Sequence, residues 1–273
     1  MTIALDRLPQ SWQGLTHRLT YKYFQVRIDT PKDPYKILFR PQPYQVVFIL
    51  SHMRSGSSLL THILNSNPEI IGFGETHLVY ESEQDFKTLM FQLYWRLKDL
   101  NMNHKYILDK VLHDQKFLDH SFLQSDPVKT IFLLREPQRT LASILDIKPH
   151  QNEQHALGYY TGRLATLESY AQLINSKEKS LFITHDQVLN QSQLVFNSLQ
   201  SHLDTKTGFS EEYRVLKTTG TRGIGDSSEN IKAGKIIKQA RKLDIEISDA
   251  VLTQAQKAYD RCYETLSHYC DCI

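Results

Sequence analysis

The stretch Val46-Val-Phe-Ile-Leu50, continued by Ser51-His-Met-Arg-Ser-Gly-Ser-Ser58 and Leu59-Leu-Thr-His-Ile-Leu64, decides how the chain folds. Five consecutive apolar residues, several of them β-branched, suit a strand buried on both faces. The polar loop after it contains one glycine, and the next apolar run reads as a helix that Asn65 to Pro68 stops. In such a strand–loop–helix element, backbone N–H groups converge at the positive end of the helix dipole and form an anion site. Ser55, Ser57 and Ser58 offer hydroxyl donors, Gly56 admits close approach of the backbone, and Arg54 adds a charged fork. The same serines also fit an ordinary capped helix start. The loop has no lysine where G-x-x-x-x-G-K-S/T requires one, so magnesium-dependent ATP or GTP chemistry is disfavoured.

Working outward, Ile70 to Phe73, Tyr106 to Leu108, Thr130 to Leu134 and Leu181 to Thr184 are further short apolar strands. Helices are expected over 82–97, about 113–124, 138–146, 152–176, 190–203 and about 248–268. Strands alternating with helices predict right-handed crossovers and an α/β fold. The expected architecture has three layers, α/β/α, around a central, mainly parallel sheet, like the P-loop nucleotide hydrolases. Residues 45–273 read as a single domain. Residues 1–44, broken by Pro31, Pro34, Pro41 and Pro43, read as an irregular basic arm or strap. That arm is either a solvated strap across the core or a surface for an anionic substrate or an anionic membrane face.

Composition sets the bounds. The 273 residues carry 32 Lys+Arg against 30 Asp+Glu, with 40% hydrophobic and 23% charged, which excludes collagen-like, disordered and disulfide-scaffold classes. A net charge of +2 does not point to nucleic acid. Cys262, Cys270 and Cys272 cluster at one end without zinc-like spacing, which suggests a reducing compartment and no metal. The first residues lack an apolar secretory core, so a cytoplasmic location is expected.

A second constellation is Lys129-Thr-Ile-Phe-Leu-Leu-Arg135-Glu-Pro-Gln-Arg-Thr-Leu-Ala-Ser143. A buried strand delivers Arg135 to its carboxyl end, where ligands of open parallel sheets bind. Arg135 is there either for an anion or for an ion pair with Glu136 or Asp146.

The two segments together resemble the sulfotransferases that use 3′-phosphoadenosine 5′-phosphosulfate (PAPS). Arg54-Ser-Gly-Ser-Ser-Leu-Leu60 is similar to the family's first motif, which binds the 5′-phosphosulfate. Arg135-Glu-Pro-Gln-Arg-Thr-Leu-Ala-Ser143 is similar to its second, whose arginine and serine hold the 3′-phosphate, although Gln138 stands where an arginine is usual. Gly72-Phe-Gly-Glu-Thr-His77 resembles the segment presenting a catalytic glutamate, which implies Glu75 as general base, with His77 and His52 as rivals. Tyr106-Ile-Leu-Asp-Lys110 resembles a strand whose lysine assists at the transferring sulfate. Leu181 to Leu189 resembles a strand and turn in which His185 replaces an aromatic. Residues 225–236, with Ser227 and Ser228, resemble a loop closing over the nucleotide. These features look more like the bacterial carbohydrate and tyrosylprotein-type branch than the cytosolic phenol and steroid branch.

The resemblance implies sulfuryl transfer from PAPS to a hydroxylated small molecule, glycan or glycolipid, leaving 3′-phosphoadenosine 5′-phosphate (PAP) and needing no metal. A P-loop small-molecule kinase and an inactive nucleotide-binding scaffold are the competing readings. Tyr80, Phe91, Tyr94, Trp95, Tyr159 and Tyr160 either line an acceptor pocket or belong to the core.

Overall fold

The computed structural model describes residues 10–216, 219–220, 229–239 and 243–273. Strands β1 (Gln45–Ser51), β2 (Ile70–Ile71), β3 (Tyr106–Val111), β4 (Val128–Leu134), β5 (Ser180–Thr184) and β6 (Asp271–Cys272) form one sheet in the order β2-β3-β1-β4-β5-β6. Every pairing is parallel. The continuous apolar run of β1 is buried on both sides as its sequence requires. Val46, Phe48 and Leu50 enter one core, while Val47 and Ile49 enter the other.

Helices cover both faces. With Val47 and Ile49 pack α2 (Ser57–Asn65) and α7 (Ser192–Leu203). The opposite core holds α3 (Asp85–Leu97), α4 (Pro137–Ile147), α5 (Glu153–Ile174) and α9 (Asp249–Tyr269). Two short helices, α6 (His185–Asn190) and α8 (Glu229–Lys232), follow β5 and precede α9 respectively. The chain leaves β1 toward β2 on one side and leaves β4 toward β5 on the other. The crevice between the carboxyl ends of β1 and β4 is therefore a topological switch point, where open α/β sheets bind ligands.

Three expectations need correction. Residues 10–29 are not irregular: they form helix α1 (Gln10–Asp29), whose Phe24 and Ile28 are fully buried against α3. Residues 113–124 hold only a 3-10 turn, Ser121–Gln124. Just upstream, Gln115 adopts φ 61°, and Tyr80 N–H donates to Lys116 O while Leu118 N–H donates to Tyr80 O. This bridge takes backbone groups a helix would have used. Finally, β6 adds a sixth strand at the edge where a helical tail alone was expected. No helix among the described residues is long and apolar enough to cross a membrane.

Candidate active site

The geometry of the loop between β1 and α2 suits a cradle for an anion. Arg54 and Gly56 both take left-handed backbone angles, φ 63° and 91°, on either side of Ser55, the kind of alternating backbone that can form an anion-binding concavity. Gly56 is the N-cap of α2 and supplies no side-chain acceptor, so the ordinary capped start does not apply. Helical geometry leaves the first N–H groups of α2 without intrahelical acceptors. Ser55 Oγ accepts the N–H of Ser57 at 3.3 Å and so shapes the turn from inside. Glycine is required at position 56 twice over. A Cβ there would meet His185 Cδ2 at 2.2 Å, and the backbone angle itself disfavours a side chain.

The two arginines meet at the switch point. Arg54 Nε donates to Ser143 Oγ at 2.8 Å, and Arg135 Nη1 donates to the carbonyl of Arg54 at 3.0 Å. Arg135 N–H donates to His52 Nε2 at 3.1 Å, and His52 Nδ1 lies 2.9 Å from Met53 O. His52 is thus a neutral brace with both nitrogens occupied. Complete burial pulls it down to about 4 and removes it from the list of bases. His185 is likewise held neutral, at about 3, by burial and by Arg135, Arg139 and His52. Glu136 caps α4 by accepting Arg139 N–H and pairs with the Arg139 guanidinium at 3.6 Å. A cavity of about 400 Å³ opens beside Gln138, between α4 and α9, with Lys257 on its far wall.

Lys110 closes the cradle from β3. Its Nζ donates to Ser58 Oγ at 3.3 Å, so a lysine from another strand reaches the loop that lacks one. Its neighbour Asp109 faces the other way, fully buried, and accepts four donors. These are Thr76 N–H (3.0 Å), Thr76 Oγ1–H (2.7 Å), Tyr80 OH (2.7 Å) and its own neighbour Lys110 N–H (2.8 Å). Those bonds fix the turn that carries Glu75 and His77, the latter at φ 61°.

Glu75 is 8% exposed, and among the described residues its Oε1 accepts no hydrogen bond. His77 Nδ1 stands 3.5 Å and His113 Nε2 3.8 Å from that oxygen. Burial raises the Glu75 pKa and Asp109 adds to the rise, while Lys110 and His77 oppose it. Burial thus disfavours the ionised form of this carboxylate, and the positive charge of Lys110 offsets part of that penalty. His113 was not anticipated. It carries no local motif and joins the site only because the end of β3 runs beside the loop after β2. Burial lowers its pKa.

One face of α5 ties the strand ends together. Arg163, fully buried, donates to Ser51 O (2.9 Å), Val111 O (2.8 Å), His113 O (3.3 Å) and Asp114 Oδ1 (2.9 Å). Tyr159 OH donates to Leu112 O and accepts Met53 N–H, both at 2.7 Å, and Tyr160 OH donates to Arg135 O at 2.8 Å. Through these bonds both tyrosines brace the strand ends, Tyr160 from within the core and Tyr159 from a partly exposed position. Tyr80 is buried on Asp109, and Phe91, Tyr94 and Trp95 pack against α1. The structure therefore brings together Arg54, Ser55, Gly56, Ser57, Ser58, Glu75, His77, Lys110, Arg135 and Ser143. Ser227 and Ser228 lie outside the described residues. Among the described residues no group of three or more His, Cys, Asp or Glu could hold a metal ion.

Neither the family models nor the curated proteins include a match to this chain. Among solved structures, the sulfotransferase domain from the curacin biosynthetic pathway is similar with a TM-score of 0.50 and 13% identity, covering 82% of this chain and 99% of that one. A crystal structure of the mouse sulfotransferase SULT7A1 complexed with PAP aligns at a TM-score of 0.41 and 14% identity, over 68% of this chain and 64% of that one. The chain has the three-layer α/β/α fold of the curacin sulfotransferase domain, with an all-parallel central sheet.

Proposed function

We propose that the chain is a sulfotransferase that moves a sulfuryl group from PAPS to a hydroxyl of a carbohydrate, glycolipid or other metabolite. The observation that carries this reading is the joint between the two motifs, in which Arg54 bonds Ser143 and Arg135 bonds the Arg54 carbonyl. One crevice thus gathers two guanidinium groups, a lysine and a helix start, which suits a ligand anionic at two ends. The fit is supported further by the Gly56 cradle, which leaves no room for a Cβ, and by the buried Oε1 of Glu75.

When bound, PAPS supplies an activated sulfuryl group with its own phosphate leaving group. Arg54, the α2 N–H groups, Ser55, Ser57 and Ser58 would hold its 5′ end, and Arg135 and Ser143 its 3′ end. Ser227 and Ser228 belong to the same proposal by sequence alone. Lys110 adds positive charge beside Ser58, where negative charge grows on the leaving group. An attacking hydroxyl must shed its proton, and Glu75 Oε1 is the acceptor we assign. His77 and His113 flank that oxygen at 3.5 and 3.8 Å, and Lys110 opposes the rise of its pKa. Asp109, through Thr76, sets its position.

The test is a screen of labelled sulfate transfer from PAPS onto lipid and polysaccharide extracts. Label appearing in one hydroxylated fraction supports the reading. PAP binding without transfer to any extract would assign the chain to the inactive scaffold, and magnesium-dependent ATP turnover to the kinase.

A further inference from the structure

Helix α1 has two faces with different surroundings. His17, Tyr21, Phe24 and Ile28 recur at i, i+4, i+7 and i+11 and turn toward α3. The rings of His17, Tyr21 and Phe24 stand 4.6, 5.3 and 6.5 Å from Trp95. On the opposite side, Leu15, Leu19 and Val26 are 52%, 58% and 56% exposed, and Lys22 shares their row. Phe39, 84% exposed, is held beside this helix. Leu38 N–H donates to Arg27 O, Arg27 Nε donates back to Leu38 O, and the Arg27 guanidinium lies 5.8 Å from the Phe39 ring. Of the twelve large hydrophobic side chains exposed among the described residues, Leu15, Leu19, Val26 and Phe39 supply four, and Tyr21 and Tyr23 elsewhere on the helix two more. Single exposed apolar residues are ordinary, whereas a concentrated row of them is not.

The charge follows the same segment. Between Arg18 and Arg40 there are six basic residues and two acidic ones, a net +4 in a chain whose total is +2, so the remainder is acidic overall. Of the acids, Asp33 pairs with Lys36 at 3.2 Å and Asp29 is exposed. The centres of protein–protein interfaces are depleted in lysine, yet Lys22 stands inside the apolar row. A lysine there suits a lipid headgroup boundary, where its stem lies along apolar surface and its ammonium reaches anionic groups.

We propose that the outward face of α1, with Phe39, docks on an anionic lipid bilayer. Leu15, Leu19, Val26 and Phe39 enter the acyl boundary, and Arg18, Lys22 and Lys32 meet the headgroups. The helix lies in the plane of the surface. The proposal does not depend on the chemistry at the strand ends.

Flotation of the full chain tests it, using vesicles of phosphatidylcholine alone or with about 30% phosphatidylserine. The expected result is binding to the mixed vesicles, little binding to the neutral ones, and loss of binding in high salt. Arg18→Gln and Lys22→Gln should each weaken binding roughly fivefold, the factor for one basic residue near an anionic surface. Leu19→Ser with Phe39→Ser should weaken it about tenfold or more. All four positions are at the surface, and an unchanged urea midpoint would verify that the fold is intact. Equal binding to both vesicles, binding to neither, or indifference to these substitutions overturns the proposal. Lipid-free dimerisation abolished by Leu19→Ser with Phe39→Ser, without vesicle binding, also overturns it and assigns the face to a second copy.

Discussion

Arg54 Nε donates to Ser143 Oγ at 2.8 Å across the crevice between β1 and β4. The bond joins a loop and a helix 89 residues apart, and with Arg135 Nη1 on the Arg54 carbonyl it forms a closed circuit. The circuit holds Arg54 in a left-handed conformation, φ 63°, that a non-glycine residue adopts only when its surroundings impose it. On the proposed reading, a loop fixed in this way before the donor binds would lower the ordering cost of binding.

The cradle's dependence on glycine is open to a stability measurement. Gly56→Ala should lower the urea midpoint by an amount equivalent to roughly 2 kcal/mol or more, combining backbone strain with the clash on His185. Adding His185→Ala should recover the clash and leave the strain. An unchanged midpoint in the single variant would contradict this geometry.

Glu75→Gln should leave PAP affinity nearly intact and lower turnover by about 10²–10⁴-fold, the usual share of a general base. Because burial raises the Glu75 pKa, the acidic limb of kcat/KM should lie above the ordinary carboxylate range, with activity lost as pH falls through it. Glutamine should abolish that limb. Near-normal turnover in the variant would remove Glu75 from the mechanism.

Arg163→Met should destabilise the fold by about 3–5 kcal/mol, because buried carbonyls at Ser51 and Val111 lose their donor together. Arg163→Lys should not restore it, since an ammonium cannot reproduce the planar fork across two strand ends. PAP affinity should fall in both variants, because Met53 and His113 sit on the segments that Arg163 ties down. Denaturation curves beside nucleotide titrations would separate the two effects.

Stability should also fall on acidification above the range where carboxylates titrate. His52 and His202 are pushed down to about 4 and His185 to about 3 from an ordinary 6.5, chiefly by burial. The unfolded chain takes up these protons below about pH 6.5 while the folded chain does not. Each histidine therefore costs roughly 1.4 kcal/mol per pH unit between 6.5 and its folded value. Glu75 and Asp109, raised by burial, act in the opposite sense over part of that range. Urea midpoints at pH 7, 6 and 5 should decline, and a flat series would mean these histidines ionise within the fold.

What the sequence made legible was local. The β1 run, Gly56, Arg135 and Ser143 announce themselves by composition and order, and each stands where expected. Helix α1 was hidden because apolar residues occur on both of its faces, Phe24 and Ile28 inward and Leu15, Leu19 and Val26 outward, so no single stripe emerges. The helix expected over 113–124 failed because its core residues sit on different elements, Phe117 in a loop bridged to Tyr80 and Phe122 in the 3-10 turn. His113 and Arg163 were invisible for another reason. A histidine past a strand end and an arginine inside a helix are ordinary in sequence, and their roles arise only when β1, β3 and α5 converge.

Calorimetric titration with PAP and with adenosine 5′-phosphate, for the unaltered chain and for Arg135→Ala, distinguishes a two-ended PAPS site from a general nucleotide site. The expected result is tight, metal-independent binding of PAP and much weaker binding of adenosine 5′-phosphate. Arg135→Ala should lose roughly 2–4 kcal/mol for PAP and far less for the nucleotide without a 3′ group. Equal losses for both nucleotides, or no PAP binding by the unaltered chain, would contradict a two-ended PAPS site between β1 and β4.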